Sequence, residues 1–374
     1  MQENTFRVLH VFGVLNRGGA ETMIMNLYQA IDRKKVQFDF VVHTDMQGAY
    51  DETVKMLGGH IYHAPRYRGI NHFAYIKWWN NFFEEHPEHS IIHSHIRSTA
   101  GIFFSVAKRQ GRITIAHSHS TSNGSGIAAV AKNLFQRGIV HYADYLFACS
   151  DAAGEWLFGK KAIAKGNYHV LKNAINIQEF GYDEAARKKI REEFGLEDSF
   201  VMGTVGRMSV PKNPFGIVKI IQAVCAQLPD AKFLWVGAGE LEDDIKQRIR
   251  DSSIDDNVVF TGVRSDIPAL LSAMDVFVFP SLWEGLGLSV IEAQASGLKC
   301  LISETITHEA CVTPNVSRLS IESTSDWVRE ILEIQRKPFR SDVAEYILRS
   351  GYDITATAVW IQEFYLTRSF TAYD

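Results

Sequence analysis

The sequence predicts an α/β protein made of two doubly wound, Rossmann-like domains. Three observations lead there. Short apolar runs of strand length alternate with helical stretches along most of the chain, the pattern of parallel sheets with crossover helices. The series pauses near residue 172 and then begins again, so a single sheet does not account for it. Several strands run into glycine-bearing loops followed by helices, the junctions at which open parallel sheets hold ligands. With 374 residues there is enough chain for two full cores.

Taken in order, Arg7 to Phe12 reads as a strand, GVLNRGGA (Gly13 to Ala20) as a loop, and Glu21 to Ile31 as a helix. GxGxxG is absent and no GK[ST] follows, so the unit is neither a dinucleotide fingerprint nor a P-loop. Further strands are expected at Phe38 to His43, His60 to Tyr62, Ser90 to His93, Arg112 to Ala116 and Tyr145 to Cys149. A second series follows at Phe200 to Val205, Lys232 to Val236, Val258 to Thr261, Val276 to Phe279 and Lys299 to Ile302. A last helix, about Ile354 to Thr367, carries Ala358, Trp360, Ile361 and Tyr365 at helical spacing. The domains are therefore drawn as 1–172 and 173–353, followed by the segment 354–374. No internal repeat relates them in sequence.

Composition narrows the function classes. A mixture of 46% hydrophobic and 22% charged residues is globular, neither disordered nor fibrous. The net charge of -4 offers no global basic field, so nucleic acid is not an expected partner. Cys149, Cys225, Cys300 and Cys311 lie far apart without CxxC spacing and read as reduced thiols, which points to a cytoplasmic protein. The opening MQENTFRVLHVF lacks the pattern of a signal peptide, and no run of about 18 apolar residues suggests a spanning helix.

Chemistry is expected first at PSLWEGLGLSVIEAQASG, Pro280 to Gly297, which joins an apolar strand to a helix. Gly285 and Gly287 let the backbone approach a ligand, and Glu284 and Glu292 flank them so as to reach opposite ends of it. The plain alternative is a solvated loop residue, an exposed helical one and an ordinary glycine cap. In VGRMSVPKNP, Arg207 and Lys212 stand across a turn containing Pro211, where both cations can converge on one anion. Two His-x-His pairs, His93 with His95 and His117 with His119, could each present two imidazoles to a metal. No carboxylate stands beside them in the manner of a binuclear hydrolase, and the competing reading is polar lining of a cleft.

EGLGLSVIEAQASGLK resembles the donor-site signature of family 4 glycosyltransferases. The family's GR(x)nKN segment is similar to the stretch at Arg207 and Lys212, NRGGAE to its first loop, and FTGVRSD to its base-contacting segment. The resemblance implies the GT-B fold, two Rossmann-like domains facing an interdomain cleft, with the last helix packed back on the first. It implies that Glu284 faces the donor sugar, Glu292 holds the ribose, and Arg207 and Lys212 neutralise the leaving nucleoside diphosphate. Gly18 and Gly19 would pack against the diphosphate, as would the backbone of Gly285, Leu286, Gly287 and Leu288, while the backbone at Val263 and Arg264 would meet the base. IAHSHST resembles the point where a strand-end histidine lies by the reacting sugar; this is His117, or His119 if the strand runs longer. The implied reaction is retaining glycosyl transfer from a nucleotide sugar, with uridine the preferred base. No cofactor is expected, nor a metal, since no DxD stands in a donor-loop context. The implied acceptor is a saccharide or lipid-linked saccharide, and the likeness is strongest to bacterial exopolysaccharide and cell-surface polysaccharide transferases.

Two departures and two rivals accompany this reading. Asn173 and Ala174 replace an Asn-Gly turn, and Glu304 to Ile321 lacks the family's usual turn after the helix. A nucleotide-sugar epimerase of the same fold would share the phosphate site, and a non-catalytic donor-binding subunit would keep it without turnover. The helix in NHFAYIKWWNNFFE carries Phe73, Ile76, Trp79 and Phe83 on one stripe near Arg66, Arg68 and Lys77, and Ile127 to Tyr142 mixes apolar and basic residues. Both stretches suit either a core face or peripheral contact with a membrane.

Overall fold

The computed structural model describes residues 5–16, 18–119, 138–284, 286–337 and 340–370. The chain forms two compact units, Met1–Ala174 with Gly351–Asp374, and Ile175–Ser350.

The first unit holds a seven-stranded parallel sheet. Its strands are β1 (Phe6–Phe12), β2 (Val36–Val42), β3 (Ile61–His63), β4 (His89–Ser94), β5 (Ile113–Ser118), β6 (Tyr145–Ala148) and β7 (Tyr168–Val170), in the order β3-β2-β1-β4-β5-β6-β7. Alternate residues serve opposite faces. Val8, Phe38, Phe40 and Ile91 join one core with the helices Gly19–Ala30 and Ile354–Thr367. Leu9, Val41 and Ile92 join another with the helices His72–Glu85 and Ala100–Arg109. Because both faces are covered, the central strands read as almost continuous apolar runs. Inside this core the β2 residue Asp39 accepts hydrogen bonds from Arg7 Nε, the His60 N–H and His89. Burial pushes its carboxyl up, but the bonds from Arg7, His89 and His60 outweigh it and hold the pKa well below the usual range.

The aromatic helix turns most of its stripe inward. Trp79 and Phe83 are buried in the core, as are Tyr75 and Phe82, whereas Phe73 is 86% exposed. Of the stretch Ile127 to Tyr142, the residues up to 137 lie outside those described, and Ile139 packs into the core.

The second unit holds six parallel strands, β8 (Val201–Val205), β9 (Lys232–Val236), β10 (Val258–Gly262), β11 (Val276–Phe279), β12 (Lys299–Ser303) and β13 (Val316–Leu319), in the order β10-β9-β8-β11-β12-β13. Strands β7 and β13 are additions to the sequence expectation. Both are edge strands of partly buried residues, so neither carries the continuous apolar run that marks a central strand. In each sheet the strand order reverses beside the first strand, between β1 and β4 and between β8 and β11. A crevice outside the strand ends opens at such a reversal, which places the binding loops.

Candidate active site

In the second unit the loops after β8 and β11 meet at the reversal. The loop after β8 closes with the turn Val210–Lys212 and with Asn213, whose φ of 52° lies in the left-handed region and whose side chain caps the helix Pro214–Cys225 by accepting the Gly216 N–H. Asn213 Nδ2 donates to Pro280 O at 3.1 Å and the Leu282 N–H donates to Pro211 O at 2.8 Å, which ties the two loops together. Across them Lys212 Nζ lies 2.6 Å from Glu284 Oε1 and over the Phe279 ring at 4.6 Å. The sequence assigns the two residues to different parts of one ligand, and the structure pairs them with each other. Their side chains are 24% and 12% exposed, so each offsets the cost of withdrawing the other from water. Arg207, on the same loop, is exposed and its guanidinium makes no ion pair among the described residues. Gly237, in the VGAGE turn after β9, lies at a φ of 129°, and a Cβ there would stand 2.2 Å from Gly206 O. Glycine at 237 is thus what lets this turn lie against the Arg207 loop.

The β11 loop enters the helix Leu288–Ala295 through Gly287, at a φ of 80° and without a side-chain cap. The first N–H groups of the helix are therefore open to an anion. Leu286 is buried and Leu288 partly exposed; Gly285 lies outside the described residues. Glu292 stands in the second turn, and its carboxyl has no hydrogen bond or ion pair among the described residues. It is partly exposed, yet burial pushes its pKa up to about 7, with repulsion from Glu179 adding to the rise. A carboxyl with its charge disfavoured and left without a donor is suited to receive one from a ligand. Val263 is 66% exposed just past β10, and the Arg264 side chain is held by Asp266 and Glu193, which leaves the backbone of this segment for recognition.

In the first unit Gly18 caps the helix Gly19–Ala30 with extended backbone at a φ of −106°, and that N-terminus too lacks a side-chain cap. Strand β5 runs further than expected, to Ser118, so His117 lies inside it and His119 directly past its end. The two His-x-His pairs come together with a residue the sequence did not mark, His10 of β1. His10 Nδ1 lies 3.0 Å from His95 Nε2, His95 Nδ1 2.8 Å from His119 Nε2, His93 Nε2 3.2 Å from His117 Nδ1, and His93 Nδ1 2.7 Å from Tyr365 Oη. Burial, reinforced by the neighbouring imidazoles, lowers His93, His95 and His117 well below the ordinary value; burial also brings His10 and His119 to about 3. All five are neutral at physiological pH. His10 gave no signal because a single polar residue in an apolar strand says nothing about which strand will lie beside it. Along the ends of β1 to β4 a cavity of about 990 Å³ is lined by His43, His63, Arg66, Arg68 and Trp78 among others.

Comparison with known proteins meets this geometry at both ends. The family model for glycosyltransferase family 4 matches residues 17–179 and that for group 1 glycosyl transferases matches 186–347. EpsF of Bacillus subtilis (strain 168), assigned to the glycosyltransferases, is 33% identical over 362 residues, 94% of either chain. An Escherichia coli UDP-Gal:alpha-D-GlcNAc-diphosphoundecaprenol alpha-1,3-galactosyltransferase is 36% identical over 151 residues, 39% of this chain and 38% of its own. Among solved structures, Anabaena Alr3699/HepE in complex with UDP superposes with a TM-score of 0.76 over 98% of this chain and 100% of its own, at 17% identity, a likeness of fold. Two parallel sheets with loops gathered at their reversals, matched in sequence along almost their whole length by one such relative, place this chain among the family 4, group 1 glycosyltransferases of GT-B fold.

Proposed function

We propose that the enzyme moves a sugar from a UDP-sugar, with retention at the anomeric carbon, to a saccharide or lipid-linked saccharide in the synthesis of bacterial exopolysaccharide or cell-surface polysaccharide. The observation that carries the donor reading is Glu292, an unpartnered carboxyl one turn inside an uncapped helix at the sheet reversal. Its place suits ribose hydroxyls, and the N–H groups before it suit a diphosphate. Lys212 and Arg207 supply positive charge as the bond from sugar to phosphate breaks, and Glu284 accepts hydrogen bonds from the sugar. The leaving phosphate oxygen takes the proton of the acceptor hydroxyl as the new glycosidic bond forms on the same face. The imidazole facing the sugar comes from His117 or His119, of which His119 is the more accessible. This division of charge asks for no metal and no cofactor beyond the nucleotide sugar. Uridine is supported by the donor named for the Escherichia coli relative and by the UDP in the Anabaena complex, and a lipid-linked saccharide acceptor by the diphosphoundecaprenol named for that same relative.

Ligand-induced thermal stabilisation tests the donor class. UDP raises the melting temperature, by about 2.7 kcal/mol of apparent stability at a hundred times Kd, while GDP and ADP at the same concentration do not. A response to GDP or ADP in place of UDP, or none to any of them, overturns the assignment.

We place the enzyme at the inner face of a membrane. Among the described residues no helix is long and apolar enough to cross a bilayer. Ile70 and Phe73, however, are 96% and 86% exposed, and Arg66, Arg68 and Lys77, near them in sequence, are exposed too. Apolar side chains exposed among cationic ones fit an anionic bilayer surface, and Arg66 and Arg68 also line the cavity along the ends of β1 to β4. Sedimentation with vesicles of anionic lipid retains the wild type and loses the double variant Ile70→Ser, Phe73→Ser. Equal retention of both rejects this surface.

A further inference from the structure

We propose that the histidines at the end of the first unit's sheet form a binding site for a transition-metal ion, Zn²⁺ foremost, with His95, His117 and His119 as ligands, and that occupation of this site shuts off transfer. Each of the three offers a nitrogen, and these nitrogens lie within 4.8 Å of one another. A tetrahedral ion with Zn–N bonds of about 2.0–2.1 Å separates its ligands by roughly 3.4 Å, so modest ring rotations close the set.

The surroundings already have the form that metal-binding histidines need, in which the second ring nitrogen is held by a fixed partner. His117 Nδ1 is bonded to His93 Nε2, and His93 Nδ1 in turn to the Tyr365 hydroxyl, which leaves His117 Nε2 free to bind. His95 Nε2 is bonded to His10 Nδ1, which leaves its Nδ1 toward His119. Three nitrogens of the cluster, His10 Nε2, His117 Nε2 and His119 Nδ1, are buried with no hydrogen-bond partner among the described residues, and the last two lie in this trio. An imidazole nitrogen in that state carries an uncompensated desolvation cost, and a cation is one group that removes it. A second trio, His10, His93 and His95, also falls within reach of one ion. There, however, both nitrogens of His93 and of His95 are engaged, and His10 Nε2 alone lacks a partner, against two such nitrogens in the first trio. The outer trio is therefore the site, and because His95 and His119 are partly exposed an ion can enter and keep a fourth position for solvent. An all-imidazole donor set selects Zn²⁺, Cu²⁺, Ni²⁺ or Co²⁺ over Mg²⁺ and Ca²⁺. The Arg97 charge that acts on His119 favours an anion as fourth ligand. The inhibitory half rests on the function proposed above, since the ion takes the imidazoles assigned to the reacting sugar.

Co²⁺ titrated into the tag-free full-length protein reads the site without reference to activity. Visible d–d bands of tetrahedral Co²⁺ saturate at one ion per chain, and Zn²⁺ abolishes them. His95→Ala and His119→Ala each weaken binding by about tenfold or more. His95→Cys, which restores a ligand, regains the bands and adds a thiolate-to-metal charge-transfer band; this also covers the case in which an alanine variant fails to fold. Absence of bands in folded wild type, or equal affinity in wild type and both alanine variants, overturns the site. In a transfer assay Zn²⁺ inhibits over the range in which it displaces Co²⁺. Binding with undiminished transfer overturns the inhibitory half. A metal-free enzyme that transfers no sugar while the Co²⁺ bands persist overturns the donor reading and leaves the metal site standing.

Discussion

Lys212→Ala lowers the rate of sugar transfer by about two to three orders of magnitude, the range seen when one preorganised stabiliser of developing charge is removed. Lys212 is held at the β8–β11 reversal by its ion pair with Glu284 and its position over the Phe279 ring, so its charge is preorganised for the leaving-group role proposed above. The pairing also makes the variant two experiments in one. Loss of the cation leaves Glu284, only 12% exposed, without its partner, and that costs stability whatever Lys212 does in catalysis. The double variant Lys212→Ala, Glu284→Gln separates the two effects, because a neutral amide no longer needs the cation. It recovers most of the melting temperature lost by Lys212→Ala and none of the rate. Initial rates at saturating donor and thermal melts check both. A rate within about threefold of wild type would remove Lys212 from the leaving-group role.

That ion pair also marks the limit of what the sequence could tell. Both residues were legible as candidates, since each lies in a glycine-bearing loop after an apolar strand. Their contact spans 72 positions and exists because β11 lies beside β8, a fact of strand order that local pattern does not encode. The same holds for His10 with His95, 85 positions apart, and for His93 with Tyr365, 272 apart. The central strands, covered on both faces, announced themselves by apolar runs, and the last helix by its spacing. The edge strands β7 and β13, partly buried, did not. Asn213 was quoted only as part of a motif; its left-handed backbone and its bond to Pro280 explain why an asparagine serves there, since it tolerates that conformation and can cap and tether at once.

Glu292→Gln abolishes UDP binding and, in the same protein, raises the melting temperature of the ligand-free form at pH 8. The carboxyl has an ordinary value of 4.5 and is pushed to about 7 by burial and by Glu179. Between those values the folded chain holds a proton that the unfolded chain has lost, so this residue's contribution to stability falls as pH rises from 4.5 and reaches its full penalty above 7. The penalty is on the order of 3 kcal/mol, taking 1.36 kcal/mol per unit. Glutamine does not ionise, so the variant gains several degrees over wild type at pH 8 and little at pH 5. The proposed ribose contact would favour the ionised carboxylate in the wild type, so UDP binding is expected to tighten as pH rises through 7 and to expel a proton below it. Calorimetry in buffers of different ionisation enthalpy measures that proton. Unchanged UDP affinity in Glu292→Gln rejects the ribose contact, and an equal gain in melting temperature at pH 5 and pH 8 rejects ionisation as its source. Both expected outcomes together would identify Glu292 as a residue kept at a cost to the free protein that the bound nucleotide relieves.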